Sequence, residues 1–358
     1  MTTDVLGRRA LNRALLARQL LLERRPMTVL DAVEHLVGMQ AQAPNPPYIG
    51  LWSRLAGFDF AEPGALLTDR RLVRVVVMRG TLHLVSARDA VLLKPLTRPV
   101  LDRYLAATDL GGADAEAVGA YGRKLLEDEP RSDKELRELL AERWPEHDGA
   151  LLNRIVRCTV PLVQVPPRGV WGSSGLARHT TLEHWLDGVE AEPSAEEMVL
   201  RYLAAFGPAT VQDVQHWSGL TGLGEVVRRL ELRTFADENG RVLYDVPDGP
   251  LPDPDTPAPV RFVPEFDNLT LSHADRARII TEEHRKRIFT VNGIIRATLL
   301  VDGFVHGMWK MEKKRGVATL RVEPFAPLPD RAAVEEEGHR LLAAAHPAAK
   351  GHELHIDG

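Results

Sequence analysis

The chain has a single cysteine, Cys158, among 358 residues. One thiol excludes an intramolecular disulfide framework and a multi-cysteine zinc site. The thirteen histidines fall into no H-E-x-x-H pattern and no C-x-x-C occurs, so no metal or other cofactor is called for. No apolar run reaches membrane-spanning length. The first residues, with Asp4 among early arginines, lack the apolar core of a secretory signal. A reducing cytoplasm and no membrane role are therefore expected. Excess positive charge is also missing. A formal net charge of −5 argues against a chain that binds nucleic acid over its whole surface, although one basic face is compatible with an acidic back.

What is present is ordinary soluble composition, 44% hydrophobic and 27% charged, in a length that suits two or three domains or several small modules. Leu11, Leu15, Leu16, Leu20 and Leu21 give helical spacing over about 7–24, and Pro26 stops it. Thr28 with Asp31 resembles a capping box opening a second helix toward Gln40. A third helix starts at Pro46-Pro47. The runs 72–78 and 81–85 flank Arg79-Gly80 and read as a hairpin. Three helices followed by a hairpin is the order of a winged helix-turn-helix.

The order recurs. Ser132 to Glu135 is a capping box for a helix to about Arg143, and a further helix covers 149–159. A hairpin is expected at 162–165 with 170–171. A third copy runs from Ser194 through helices to Leu232, then to strands 234–237 and 241–246 around Asn239-Gly240. After a proline- and aspartate-rich linker, 247–259, a strand at 260–266 and a helix over 273–287 are expected. Strands at 297–301, 305–311 and 317–322 and a last helix over 329–345 complete the pattern. The expected fold is α+β and mostly helical. It comprises winged-helix modules at 1–110, 111–192 and 193–250, then a linker and C-terminal β-rich element at 251–358.

The stretch Met39-Gln40-Ala41-Gln42-Ala43-Pro44 places two amides two residues apart where prolines forbid a helix. In extended backbone that spacing sends both side chains the same way, giving a neutral cluster of donors and acceptors. The alternative is a polar helix end. Arg79 and His83 lie on the hairpin of the same module and are expected to contact DNA; by residue type His83 is either a proton carrier or a hydrogen-bonded structural histidine. Lys310, Lys313, Lys314 and Arg315 mark a basic hairpin tip suited to phosphates or simply to solubility. Asn153, Arg154 and Arg157 on one helix, and Arg228 and Arg229 on another, could face a nucleic-acid groove or serve as scaffold. Asp267, His273 and Asp275 read as structural, and Cys158 as buried.

Gly38-Met39-Gln40-Ala41-Gln42 followed by Pro46-Pro47-Tyr48-Ile49-Gly50-Leu51-Trp52 resembles the active-site segment of winged-helix DNA glycosylases of the AlkZ and YcaQ type. The runs 78–85, 266–269 with 273–276, and 300–304 are similar to further landmarks of that family, in the same order. The resemblance implies three tandem winged helices in a C-shape with a β-rich C-terminal element. It also implies removal of N7-alkylated purines from double-stranded DNA, including bulky adducts and interstrand crosslinks made by genotoxic natural products, as DNA repair or self-resistance. The family motif of Gln, an apolar residue and Gln maps onto Gln40, Ala41 and Gln42, naming the two glutamines as catalytic. Gln42 departs from the YcaQ branch, which has aspartate there, and so points to the AlkZ branch.

Two neutral amides suit such a reaction. Glycoside hydrolysis usually needs paired carboxylates, but an N7-alkylguanine leaves as an already cationic base and needs no protonation. What remains is to place water against the anomeric carbon and to favour positive charge on the sugar. No lysine stands out as a Schiff-base nucleophile, so a monofunctional monomer is expected, acting on a lesion left in the duplex. The competing expectation is a non-catalytic winged-helix regulator.

Overall fold

The computed structural model describes residues 4–357. Three times the chain repeats one order: a helix, a short extended segment, two helices, and a hairpin whose second strand pairs with that segment. The first copy comprises helix Val29–His35, strand Met39–Gln40, helices Pro46–Arg54 and Glu62–Thr68, and strands Leu72–Val76 and Leu82–Ser86. The second comprises helix Ala115–Asp128, strand Arg131–Ser132, helices Asp133–Arg143 and Gly149–Thr159, and strands Leu162–Val165 and Arg178–Thr181. In the third, helix Ala195–Phe206 leads to a bridge from Ala209 to Tyr244, helices Val211–Ser218 and Gly224–Arg229, and strands Arg233–Asp237 and Val242–Asp245. Capping boxes start two helices, Ser132 with Glu135 and Thr210 with Asp213, whereas Thr28 caps its helix by accepting the Asp31 N–H without the reciprocal bond.

The first two hairpins are not separate wings. Arg74 pairs with Gln164 and Val75 with Val163, which fuses them into one six-stranded sheet. A second sheet of five strands forms the C-terminal element: Arg261–Val263, Thr298–Val301, Phe304–Lys314, Val317–Pro324 and Gly351–Ile356. The last of these runs parallel to its neighbour, and its partner lies too far off in sequence for a local pattern to reveal it.

Several boundaries differ from expectation. The first helix ends at Arg18, and the chain turns through Leu20 at positive φ. The second ends at His35, because Val37 and Gly38 take positive φ and turn the chain into strand Met39–Gln40. The partner of strand Leu162–Val165 is Arg178–Thr181, while Val170 and Trp171 lie in a turn between them. Residues 273–281 are irregular, and the helix there is Glu282–Ile288, capped by Thr281.

A continuous apolar core joins the first helix, both hairpins, the third repeat and the C-terminal sheet through residues such as Leu16, Val75, Val163, Tyr202 and Leu300. Buried ion pairs fix the relative placement of its parts. Arg18 meets Asp245 at 2.6 Å, and Arg54 meets Asp267 at 2.8 Å, all four side chains fully buried. Desolvation offsets most of the attraction in such pairs, so their effect is to specify one arrangement rather than to add much stability. No helix among the described residues is long and apolar enough to cross a membrane.

Candidate active site

The site begins where helix Val29–His35 stops. Gly38 sits at φ +86°, and a Cβ there would lie 2.6 Å from Val85 Cγ1, so only glycine lets the chain pass this close to the hairpin. Asn268 donates to the Gly38 carbonyl at 2.8 Å and supports the turn from below. The stretch around Asp267, read from sequence as structural, is therefore the footing of the strand that carries Gln40.

Gln40 pairs in register with His83 and is 7% exposed. Arg79 Nη2 donates to Gln40 Oε1 at 2.9 Å. Arginine has only donors, which orients the amide with its oxygen toward Arg79. Arg79 also donates to the Trp217 carbonyl at 2.5 Å and takes up positive φ, leading into Gly80. Burial, and after it the charge of Arg276, lowers its pKa to about 10, so it remains a cation at neutral pH. His83 is buried; its Nδ1 donates to the Thr81 carbonyl at 2.8 Å, leaving Nε2 to face Arg79 at 3.4 Å. Burial, reinforced by Arg79, pushes the imidazole down to about 3. His83 is thus a neutral structural partner and not a proton carrier.

Gln42 is anchored separately. It is exposed, and its Oε1 accepts the Leu82 N–H at 3.2 Å. The strand ends at Gln40, Ala41 N–H still bonds to the Leu82 carbonyl at 2.7 Å, and the chain bends from Gln42 onward, so the two amides meet different donors. Gln42 lines a polar cavity of about 210 Å³ together with Asp133, Gln164, His179, Lys94 and Arg157. An adjoining concavity of about 610 Å³ shares Val76, Asp133 and Arg157 with it. Arg79, Arg103, Arg137 and Arg154 line this larger space, so Asp133 is the single carboxylate against five arginines. Burial alone would raise the Asp133 carboxyl, but Arg157 at 3.0 Å and His179 hold it below the usual range.

Of the sequence candidates, Gln40, Gln42, Arg79 and His83 come together. Helix Gly149–Thr159 brings Asn153, Arg154 and Arg157 to the adjoining wall. Lys310, Lys313, Lys314 and Arg315 stand apart, exposed on the hairpin between strands Phe304–Lys314 and Val317–Pro324, with Lys314 paired to Glu312 at 2.8 Å. His273 is buried against the Phe206 carbonyl and Asp275 pairs with Arg241 at 2.6 Å, as structural residues do. Cys158 is buried, as its apolar helical setting predicts.

A model of AlkZ-like DNA glycosylases matches residues 33–344. The chain belongs to the AlkZ-like DNA glycosylase family. It is accordingly an enzyme that hydrolyses N-glycosyl bonds in DNA. An interstrand DNA cross-link repair glycosylase of Streptomyces sahachiroi is 25% identical over 357 residues, covering 91% of this chain and 94% of that protein. The solved structure of Streptomyces sahachiroi DNA glycosylase AlkZ shares the fold, with a TM-score of 0.77 at 21% identity over 99% of this chain and 100% of that one.

Two further features were not singled out in the sequence. Arg74 lies within strand Leu72–Val76, is 2% exposed and donates to the Ala41 carbonyl at 2.7 Å. The turn Thr290–Ile294 projects Val291, fully exposed at 103%, with Ile294 at 45%. Phe289 at its base lies under Arg276, 5.0 Å from the ring centroid, and Arg276 meets His216, whose imidazole Arg79 also depresses. The base of the turn is therefore linked to Arg79 through Arg276 and His216. The Asn292-Gly293 pair was the available signal, as a hairpin turn.

Proposed function

We propose that this enzyme removes cationic N7-alkylpurines from double-stranded DNA, including bulky adducts and interstrand crosslinks, as a monofunctional monomer. The observation that carries the reading is the pair of glutamines, each held through its amide oxygen by a donor of one hairpin, beside a concavity walled by arginines. The name of the Streptomyces sahachiroi relative supports the crosslink part. The three repeats act as winged helices, with the limits given above, and the arginine-lined wall takes DNA phosphates.

In this account each glutamine oxygen keeps a second lone pair for the attacking water, while Arg79 and Leu82 fix where it points. Water is presented to the anomeric carbon and the amide dipoles favour positive charge on the sugar. Glutamine is no general base near neutral pH, so the leaving base must already carry its charge. The glycosidic electron pair then neutralises that cation as the bond breaks. Water adds at the sugar and releases a proton to solvent, leaving an abasic site.

The lesion stays stacked in the duplex, since a bulky or crosslinked base fits a closed pocket badly. Val291 and Ile294 enter the minor groove as an apolar wedge beside it. Incubation with duplexes carrying N7-methylguanine or uracil tests the reading by counting abasic sites. N7-methylguanine should be released and uracil untouched; release of uracil, or of neither base, contradicts it. Unstacking of a substrate-analogue base in the complex would contradict the in-duplex part.

A further inference from the structure

Three structural facts around Ala41 belong together. The first is a broken ladder. Ala41 N–H donates to the Leu82 carbonyl at 2.7 Å, as an antiparallel partner should, but the return bond is missing. The Leu82 N–H goes to Gln42 Oε1 instead. The second is where the Ala41 carbonyl went. It accepts from Arg74 Nη2 at 2.7 Å, on the next strand across. The third is the state of Arg74. Its side chain is interior, its Nε and Nη1 have no partner among the described residues, and no carboxylate pairs with it.

A buried guanidinium with one hydrogen bond is costly, since desolvation of an unpaired charge amounts to several kcal/mol. Natural folds keep such a group where it does something else. The covering loop includes Gly169, which could not bear a Cβ without meeting Arg74 Cδ at 2.6 Å, so the surroundings are shaped to the arginine. Tyr48, which lies near Arg74, fixes that loop by donating to the Gly169 carbonyl at 2.7 Å.

We infer that Arg74 is a positioning residue for Gln42: by drawing the Ala41 carbonyl out of the ladder it leaves the Leu82 N–H free to hold the Gln42 amide. Without Arg74, the Ala41 carbonyl returns to Leu82, as the ladder dictates, and Gln42 loses its anchor. Arg74 then serves Gln42 as Arg79 serves Gln40, although it acts through backbone and not by touching the amide. The inference rests on the proposed catalytic role of Gln42.

Arg74→Met keeps the bulk and removes the donor; Arg74→Lys keeps one donor and the charge. Under single-turnover conditions on an N7-methylguanine duplex, Arg74→Met should slow base release on the order of 10²-fold, the scale of a misplaced reacting group. Its affinity for the duplex should stay within about twofold, since no phosphate contact changes. Arg74→Lys should recover much of the rate. In a Gln42→Ala background, Arg74→Met should cost nothing further, because its effect runs through Gln42. An unchanged rate in Arg74→Met, or losses that multiply in the double variant, overturns the inference. A crystal structure of Arg74→Met tests it without reference to base release, and covers a failure of the functional reading. Leu82 N–H bonded to the Ala41 carbonyl with Gln42 displaced supports the inference, and Gln42 still on Leu82 defeats it.

Discussion

Gln40 and Arg79 are joined by a 2.9 Å hydrogen bond between residues 39 positions apart, one on the short strand and one at the hairpin turn. The bond binds the motif to a strained turn, since Arg79 adopts positive φ without being glycine. It also supplies a charged donor to a neutral amide, which makes for a stronger and shorter bond than two neutral groups would form. Arg79→Met should therefore free Gln40 and reduce base release by about 10- to 100-fold. Rates measured at saturating enzyme check this, with Arg79→Lys predicted to recover only part of the loss because it cannot donate to Gln40 and Trp217 together.

Acid should destabilise the fold through buried neutral histidines. His83 and His273 are each depressed to about 3 and His179 to about 4, in every case first by burial. Unfolding restores a pKa near 6.5. The unfolded chain therefore binds more protons between about pH 4 and 6.5, and stability falls as pH drops through that window. Each such histidine contributes at most about 1.4 kcal/mol per pH unit. Urea unfolding at pH 7 and pH 5 should show the loss. His83→Gln, which cannot be protonated, should show a shallower dependence; an unchanged slope would mean that His83 is not held neutral.

Arginines on the larger concavity should act through phosphates. Arg137 and Arg154 are exposed there and have no ion-pair partner among the described residues. Each replacement by alanine should weaken binding to any duplex alike and lower the salt-dependence slope by about 1. Binding titrations at several salt concentrations measure both quantities.

Val291 should matter for DNA and not for folding, because its side chain is fully exposed. Val291→Asp places an anion against the duplex and should slow lesion processing by roughly tenfold at unchanged urea stability, as loss of an apolar wedge would. Equal rates for the variant and the parent would remove the tip from DNA contact.

Much of this architecture is legible in the residues themselves. Capping pairs such as Ser132 with Glu135 set helix starts by local hydrogen bonding, and Asn239-Gly240 sets a turn by local backbone preference. Gln40 and Gln42 are singled out differently, by resemblance to the family's contiguous Gln-apolar-Gln motif. Features with distant partners were not. Helix Ala87–Ala106 carries Pro95 and Pro99 inside it, and helical reading stops at such residues unless packing overrides them. Strand Gly351–Ile356 exists through its parallel neighbour. The separate anchors of the two glutamines involve Arg79 and, through backbone, Arg74, cations whose contacts follow from tertiary packing and not from spacing.

The most direct test of the central claim is abasic-site formation by Gln40→Ala/Gln42→Ala on a duplex carrying N7-methylguanine. DNA affinity is measured in parallel, so that binding and chemistry are separated. The double variant should bind the duplex as the parent does and release the base at least about 10²-fold more slowly. Undiminished release by a folded double variant would take both glutamines out of the chemistry.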